Sequence, residues 1–262
     1  MSLVNVDVAI VGAGIVGQTL ALALSKQNFS VALIDANDMS QEITDTFSPR
    51  VSAISKASER IFKSLGVWQH IPRMQAYTDM SVWEDQAFGH IGFSASENKM
   101  TELGHIIENN CIAQALFDVA EGTENLTLLQ QCKISALNRS EDQQLITLDN
   151  GNMLSAKLIV GADGGNSFVR RNADFAVTIW DYDHIATVAH IRTELVYANT
   201  ARQAFTPTGP LAFLPMSDPN VCSIVWSQDT GEAERLLALD DQAFCQALQV
   251  ALDNQLGHCE LM

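Results

Sequence analysis

Positive charge is scarce in this 262-residue chain: 15 Lys and Arg stand against 31 Asp and Glu, a formal net charge of −16. Nucleic acid, whose phosphates demand basic patches, is therefore not an expected partner. Simple electrostatic attachment to anionic lipid is disfavoured for the same reason. Cysteine is sparse and poorly spaced for chemistry. Cys111, Cys132, Cys222, Cys245 and Cys259 form no C-x-x-C pair. That leaves a disulfide framework, a zinc site and a dithiol motif without support, and favours a reducing compartment. The histidines show no H-x-x-x-H spacing. No apolar run reaches the ~20 residues of a membrane-crossing helix. Val8 to Leu24 imitates a signal peptide, but Asp7 precedes it and neither a basic flank nor a small-residue exit accompanies it. A cytoplasmic protein is expected. Repeats and low-complexity tracts are also missing. Hydrophobic residues at 47% argue against disorder, and the length suits one large domain or two small ones.

Against these absences stands one dense motif. The apolar run Val8-Ala9-Ile10-Val11 enters Gly12-Ala13-Gly14-Ile15-Val16-Gly17, and Asp35 follows the last glycine by 18 residues, at the end of Val31-Ala32-Leu33-Ile34. A strand, a Gly-x-Gly-x-x-Gly turn, a helix start and an acid at the next strand end are the parts of a dinucleotide cradle in working order. Gly12 makes the tight turn. Gly14 admits a pyrophosphate to the backbone, Gly17 lets helix and strand pack closely, and Asp35 can hold a ribose hydroxyl. The same turn without a ligand is the plainer alternative.

Farther along, strands are expected at Val4–Val11, Val31–Asp35, Leu126–Leu129, Ile134–Leu137, Leu145–Leu148 and Ala156–Val160, with helices at Ile15–Gln27, from Ser55 to Leu65, and at Ile112–Ala120. From about Thr178 the texture changes to Ile185–Ile191, Arg202–Phe205, Leu211–Leu214 and Cys222–Trp226, which suggest an antiparallel sheet with a turn at Gly209-Pro210. Two helices, Glu232–Leu239 and Gln242–Leu252, close the chain.

A second constellation repeats the pattern of strand into glycine turn. Leu158-Ile159-Val160 leads into Gly161-Ala162-Asp163-Gly164-Gly165. An aspartate there can accept from ligand hydroxyls, and glycines permit close approach. Between the two motifs lies Ser48-Pro49-Arg50-Val51-Ser52-Ala53, where the Arg50 guanidinium suits phosphate, or a surface ion pair. Asp181, Asp183 and the pair Asp240-Asp241 are read as turn and solvated residues rather than catalysts.

Taken together, these three motifs resemble those of the p-hydroxybenzoate hydroxylase-like FAD-dependent aromatic hydroxylases. Trp180-Asp181-Tyr182, Leu211-Ala212-Phe213-Leu214-Pro215 and Cys222-Ser223-Ile224-Val225-Trp226-Ser227 resemble the ubiquinone-biosynthesis branch, nearest the bacterial polyprenylphenol hydroxylases. The resemblance implies an α/β fold: a Rossmann-like FAD-binding domain (1–75 and 101–177) with a mainly antiparallel sheet substrate domain (76–100 and 178–262). It implies FAD as cofactor, with Gly12, Gly14 and Gly17 at the pyrophosphate and Asp35 at the adenosine ribose. Arg50 would lie near the pyrophosphate, Asp163 and Gly164 at the flavin's hydroxylated linker, and Asn109 or Asn110 at its border. It implies NAD(P)H as transient electron donor, O2 as oxidant and a prenylated phenol as substrate. A ubiquinone-biosynthesis protein complex and peripheral contact with the inner membrane are implied partners. The family's third FAD motif, a Gly-Asp with a His-Pro-type loop, has no counterpart in residues 1–262. A fragment or shortened protein with an incomplete FAD domain is therefore expected, and a catalytically silent flavin-fold partner is the alternative. A halogenase is disfavoured by the lack of Trp-x-Trp-x-Ile-Pro, and a disulfide reductase by the lack of Cys-x-x-x-x-Cys after the first helix.

Overall fold

The computed structural model describes residues 3–85, 88–140 and 143–262. The chain begins with β1 (Leu3–Val11), α1 (Ile15–Ser25) and β2 (Val31–Ile34). Then come β3 (Val51–Ser55), α2 (Lys56–Leu65), β4 (Gln75–Tyr77), β5 (Asp79–Glu84), β6 (His90–Ser94) and β7 (Gly104–Glu108). Next are α3 (Asn109–Glu121), β8 (Leu126–Leu129), β9 (Ile134–Arg139), β10 (Gln144–Leu148), β11 (Met153–Gly161) and α4 (Phe168–Asn172). The last third holds β12 (His184–Thr193), β13 (Thr200–Thr206), β14 (Gly209–Pro215), β15 (Val221–Asp229), α5 (Thr230–Leu237), α6 (Asp241–Ala251) and β16 (Cys259–Leu261).

The chain divides into two units: Met1–Ile43, Glu59–Pro72 and Asn110–Thr178 form the first, and Thr44–Ser58, Arg73–Asn109 and Ile179–Met262 the second. The first is built on a six-stranded sheet of order β8-β2-β1-β11-β10-β9. Its four strands β8, β2, β1 and β11 run parallel, while β10 and β9 return as an antiparallel pair. β2, between β8 and β1, is covered on both faces and so reads as an unbroken apolar run: all four of its residues are buried. Helix α1 carries the crossover from β1 to β2 and buries Gly17, Gln18, Ala21, Leu22 and Ser25.

The second unit has a seven-stranded sheet of order β16-β12-β15-β14-β13-β5-β6 and a small sheet β3-β7-β4. All its pairings are antiparallel except β13 with β5. Alternation sorts the large sheet's two faces. Trp83, Ala204, Leu211, Phe213, Ile224 and Trp226 form one core with Leu236, Phe244 and Leu248 of α5 and α6. Full burial of a side chain such as Leu211 or Phe213 stabilises the fold by about 1.5–3 kcal/mol. The opposite face carries Ile91, Phe93, Phe205 and Val188, each more than 40% exposed and linked through the register by Val82, Gln203, Ala212 and Val225.

Residues 51–55, which carry no strand expectation of their own, form β3, because their edge pairs with β7. Ser55 still caps the following helix, accepting from Ser58 N–H at 3.3 Å. The Gly209-Pro210 turn lies instead inside β14, and the bend falls on residues 207–208. Gly209 has φ +141°, and a Cβ there would sit 2.1 Å from the Ser227 carbonyl oxygen, so close strand approach explains the glycine. Among the described residues, no helix is long and apolar enough to cross a membrane.

Candidate functional site

The three glycines of the first motif turn out to serve different masters. Gly12 has φ +100°, and a Cβ there would lie 2.3 Å from the Ala162 carbonyl oxygen. A Cβ on Gly17 would lie 1.9 Å from the Gly12 carbonyl oxygen. The protein's own packing demands both. Gly14 is different: its φ is −66°, which any residue adopts, and nothing lies within 4 Å of a Cβ built on it. No internal neighbour accounts for a glycine here. The open space lies at the N-terminus of α1, where Gly14 is the cap.

That helix end is also electrically open. Gly14 supplies no side-chain cap, and the first turn holds no acid. By contrast, α4, α5 and α6 are capped by Ser167, Asp229 and Asp240. The first N–H groups of a helix have no intrahelical acceptor, and together with the helix dipole they favour an anion. Gln18, buried in α1, braces the loop by donating its Nε2 to the Ala13 carbonyl at 2.8 Å.

Asp35 follows directly on β2, as its spacing predicts. Its Oδ2 accepts from Ala13 N–H at 2.6 Å and its Oδ1 from Asn37 N–H at 2.8 Å. The carboxylate thus ties the glycine loop to the end of the next strand. Oδ1 also accepts from Asn37 Nδ2 at 3.3 Å, so Oδ2 is the oxygen that retains a second lone pair for a ligand hydroxyl. Asp163 is more heavily committed. Its Oδ2 accepts from Phe168 N–H at 2.6 Å and Val169 N–H at 3.2 Å, and its Oδ1 from the Ser167 hydroxyl at 2.5 Å. It shapes the turn into α4, in which Gly164 takes φ +78° with nothing within 4 Å of a Cβ.

Gly12, Gly14, Asp35 and Asp163 share one cleft of about 420 Å³ with Asn37, Lys133 and Phe168 among others, whereas Gly17 and Gly164 do not line it. Lys133 brings a cation that no motif announced, since it stands alone between β8 and β9. An open glycine, a helix start without a side-chain cap and a ribose-competent carboxylate in one cleft fit a dinucleotide.

Arg50 belongs to the second unit, immediately before β3. It is exposed, and its side chain has no hydrogen-bond or ion-pair partner among the described residues. Asn109 and Asn110 open α3. Asn109 Oδ1 accepts from the Ser52 hydroxyl at 2.6 Å, and Asn110 Oδ1 from Cys111 N–H at 2.9 Å. The acids set aside as catalysts have structural work: Asp240 Oδ1 accepts from Ala243 N–H at 2.8 Å, and Asp181 Oδ1 from Asp183 N–H at 2.9 Å. All five cysteines are buried and free of disulfides. Burial pushes the Cys222 thiol up to about 12 and Cys259 up to about 11, which favours the neutral thiol at both.

A family model described as "FAD binding domain" matches residues 5–261. The chain belongs to the FAD-binding domain family. It is 36% identical over 233 residues to 3-demethoxyubiquinol 3-hydroxylase of Escherichia coli (strain K12), covering 88% of this chain and 59% of that protein. It is 34% identical over 274 residues to the mitochondrial ubiquinone biosynthesis monooxygenase COQ6 of Danio rerio, covering 98% of this chain and 56% of that one. The chain thus spans rather more than half the length of these curated relatives. In fold it is similar to PqsL of Pseudomonas aeruginosa, with TM-score 0.80 at 21% identity, covering 98% of this chain and 73% of that one. p-Nitrophenol 4-monooxygenase PnpA of Pseudomonas putida DLL-E4 gives TM-score 0.74 at 14% identity, covering 99% and 67%. The FAD-binding family to which the chain belongs makes FAD its cofactor.

Proposed function

We propose that this chain supplies the FAD cradle and the substrate-facing sheet of an FAD-dependent monooxygenase. The reaction is hydroxylation of the aromatic ring of a polyprenylphenol in ubiquinone biosynthesis, with NAD(P)H and O2. The observation that carries the reading is the open Gly14 at an uncapped helix start in a chain of the FAD-binding family. The ubiquinone-biosynthesis names of the relatives supply the substrate class.

When bound, FAD supplies the redox and oxygen chemistry. The chain's residues bind and orient. Backbone N–H groups at the start of α1 hold the pyrophosphate, with Gly14 clearing the way. Asp35 accepts from the ribose. Asp163, with Gly164, meets the hydroxylated linker. In the second unit, the sheet face bearing Val188, Phe205, Ile91 and Phe93 offers an apolar surface to a ring with a hydrocarbon tail. So apolar a substrate calls for delivery from a membrane surface or from a partner in a biosynthetic complex.

The test is an FAD titration of the purified chain followed by flavin absorbance, then NADPH oxidation with a prenylated phenol under labelled O2. Bound FAD and a phenol that gains one labelled oxygen support the enzyme. Bound FAD without turnover on any phenol supports a silent flavin-fold partner instead. A folded chain that takes up no FAD refutes the reading.

A further inference from the structure

The cleft that holds Gly14 and Asp35 lies wholly within the first unit, and its side chains are poorly balanced for an anion. Two carboxylates line it, Asp35 and Asp163, in a chain of net charge −16. The arginines that follow the second glycine turn are engaged by that turn: Arg170 Nη2 donates to the Gly165 carbonyl and Arg171 Nη1 to the Asn166 carbonyl, both at 2.6 Å. Lys157, on β11, pairs with Asp7 at 2.6 Å. Among the described residues, Lys133 is the one basic side chain that lines the cleft. It is exposed, and its ammonium has no hydrogen-bond or ion-pair partner among those residues.

Its main chain, by contrast, is held on both sides. Gln131 N–H donates to the Asn37 carbonyl at 3.1 Å and Cys132 N–H to the Asp35 carbonyl at 2.9 Å. These bonds lace residues 131 and 132 to the strand end that carries the ribose-competent acid. One residue on, Lys133 N–H donates to Asp149 Oδ1 at 3.1 Å, and its carbonyl accepts from Asp149 N–H at 2.8 Å. A fixed backbone thus presents an unengaged ammonium at the cleft wall. Such a group is a compact point charge on a flexible stem, suited to phosphate without a fixed geometry. The start of α1 adds only about half a positive charge, less than a diphosphate carries, and Asp35 and Asp163 add to what must be offset. We infer that Lys133 is the specificity-determining cation of this cleft, supplying the counter-charge by which it selects a ligand bearing a diphosphate. The inference rests on the reading of the cleft as the seat of the FAD pyrophosphate and ribose.

The experiment is a titration of FAD into the whole chain at low salt and at about 0.5 M salt, with thermal unfolding measured in parallel. Lys133→Met keeps the stem and removes the charge. It should raise the FAD Kd about fivefold at low salt, the upper end for an exposed ion pair. Lys133→Glu doubles the change in charge and should raise it about 25-fold, while Lys133→Arg should restore the parent value. At high salt the Lys133→Met effect should shrink below about twofold, because exposed charges are screened. Lys157→Met changes the net charge equally but lies outside the cleft, and should leave the Kd within about twofold of the parent's. None of the Lys133 variants should move the Tm without FAD by more than about 2 °C, since the ammonium bonds to nothing in the protein. A folded parent chain that takes up no FAD overturns the reading of the cleft and the inference with it. A parent that binds FAD, with Lys133→Met binding equally well, overturns the inference alone. So do equal losses in Lys133→Met and Lys157→Met, which mark the chain's overall charge, and a loss that arginine does not restore or that persists at high salt.

Discussion

A valine in place of Gly14 should cost the fold little and the cofactor much. The position has an ordinary φ of −66° and no atom within 4 Å of a built Cβ, so no steric penalty arises inside the protein. The remaining cost is that of a poorer helix N-cap, about 1 kcal/mol. In a domain of this size that is a shift of about 2–4 °C in Tm. The branched side chain would fill the space through which an anion reaches the first N–H groups of α1. Hydrogen bonds to a charged group contribute about 1.5–3 kcal/mol each, so losing two costs about 3–6 kcal/mol. The FAD Kd should therefore rise at least about 100-fold. Gly14→Val and the parent chain would be compared by differential scanning fluorimetry without FAD, then by titration of flavin fluorescence. Unchanged FAD affinity in the folded variant would put the pyrophosphate elsewhere. A collapse of Tm without FAD would mean that the space is not open and that the glycine is structural after all.

Gly17→Ala should do the reverse. A Cβ 1.9 Å from the Gly12 carbonyl oxygen forces helix and strand apart, costing about 3 kcal/mol or some 10 °C in Tm before any FAD is added; a variant that melts with the parent contradicts the packing role. Asp163→Ala leaves two backbone N–H groups and the Ser167 hydroxyl without their acceptor, and should lower apo stability by about 1–3 kcal/mol. Denaturant unfolding that shows no change would leave Asp163 a ligand contact only. His190 carries a pH signature. Burial pulls its pKa below the ordinary 6.5, with the Glu108 charge opposing. The unfolded chain then binds more protons, so the stability owed to neutral His190 is complete above about pH 6.5 and drains away as pH falls through the folded pKa. The stability difference between the parent chain and His190→Gln should shrink between about pH 7.5 and 5.5, and a pH-independent difference would contradict it.

The elements legible in the sequence were those with a local cause. β1, α1 and β2 follow from an apolar run, a glycine turn and a second apolar run, and β11 into Gly161 to Gly164 follows from the same grammar. The short strands β4 and β7 and the edge strand β16 carry no such mark. β7 runs straight into α3 without a breaker, and β4 has three residues paired only because β7 lies beside it. Arg73 and Glu108 were equally silent, 35 positions apart. Ion-pair partners at that distance have no periodicity to betray them. Lys133 enters the cleft for the same reason: its neighbours in space are not its neighbours in the chain.

The sequence by itself determined the cradle's parts, because a tight turn, a close helix–strand contact and an acid at a strand end each require particular residues at short spacings. It gave the three glycines distinct roles, but not the atoms that each one meets. Only the tertiary structure decided that Gly12 and Gly17 answer to the protein while Gly14 answers to space. It likewise decided that both oxygens of Asp163 are engaged within the turn and that a buried Arg73–Glu108 pair holds the segment bearing Arg50. The physical reason is the same in each case. Spacing along a chain encodes local backbone geometry, but whether a position faces atoms or emptiness is set by segments that arrive from elsewhere.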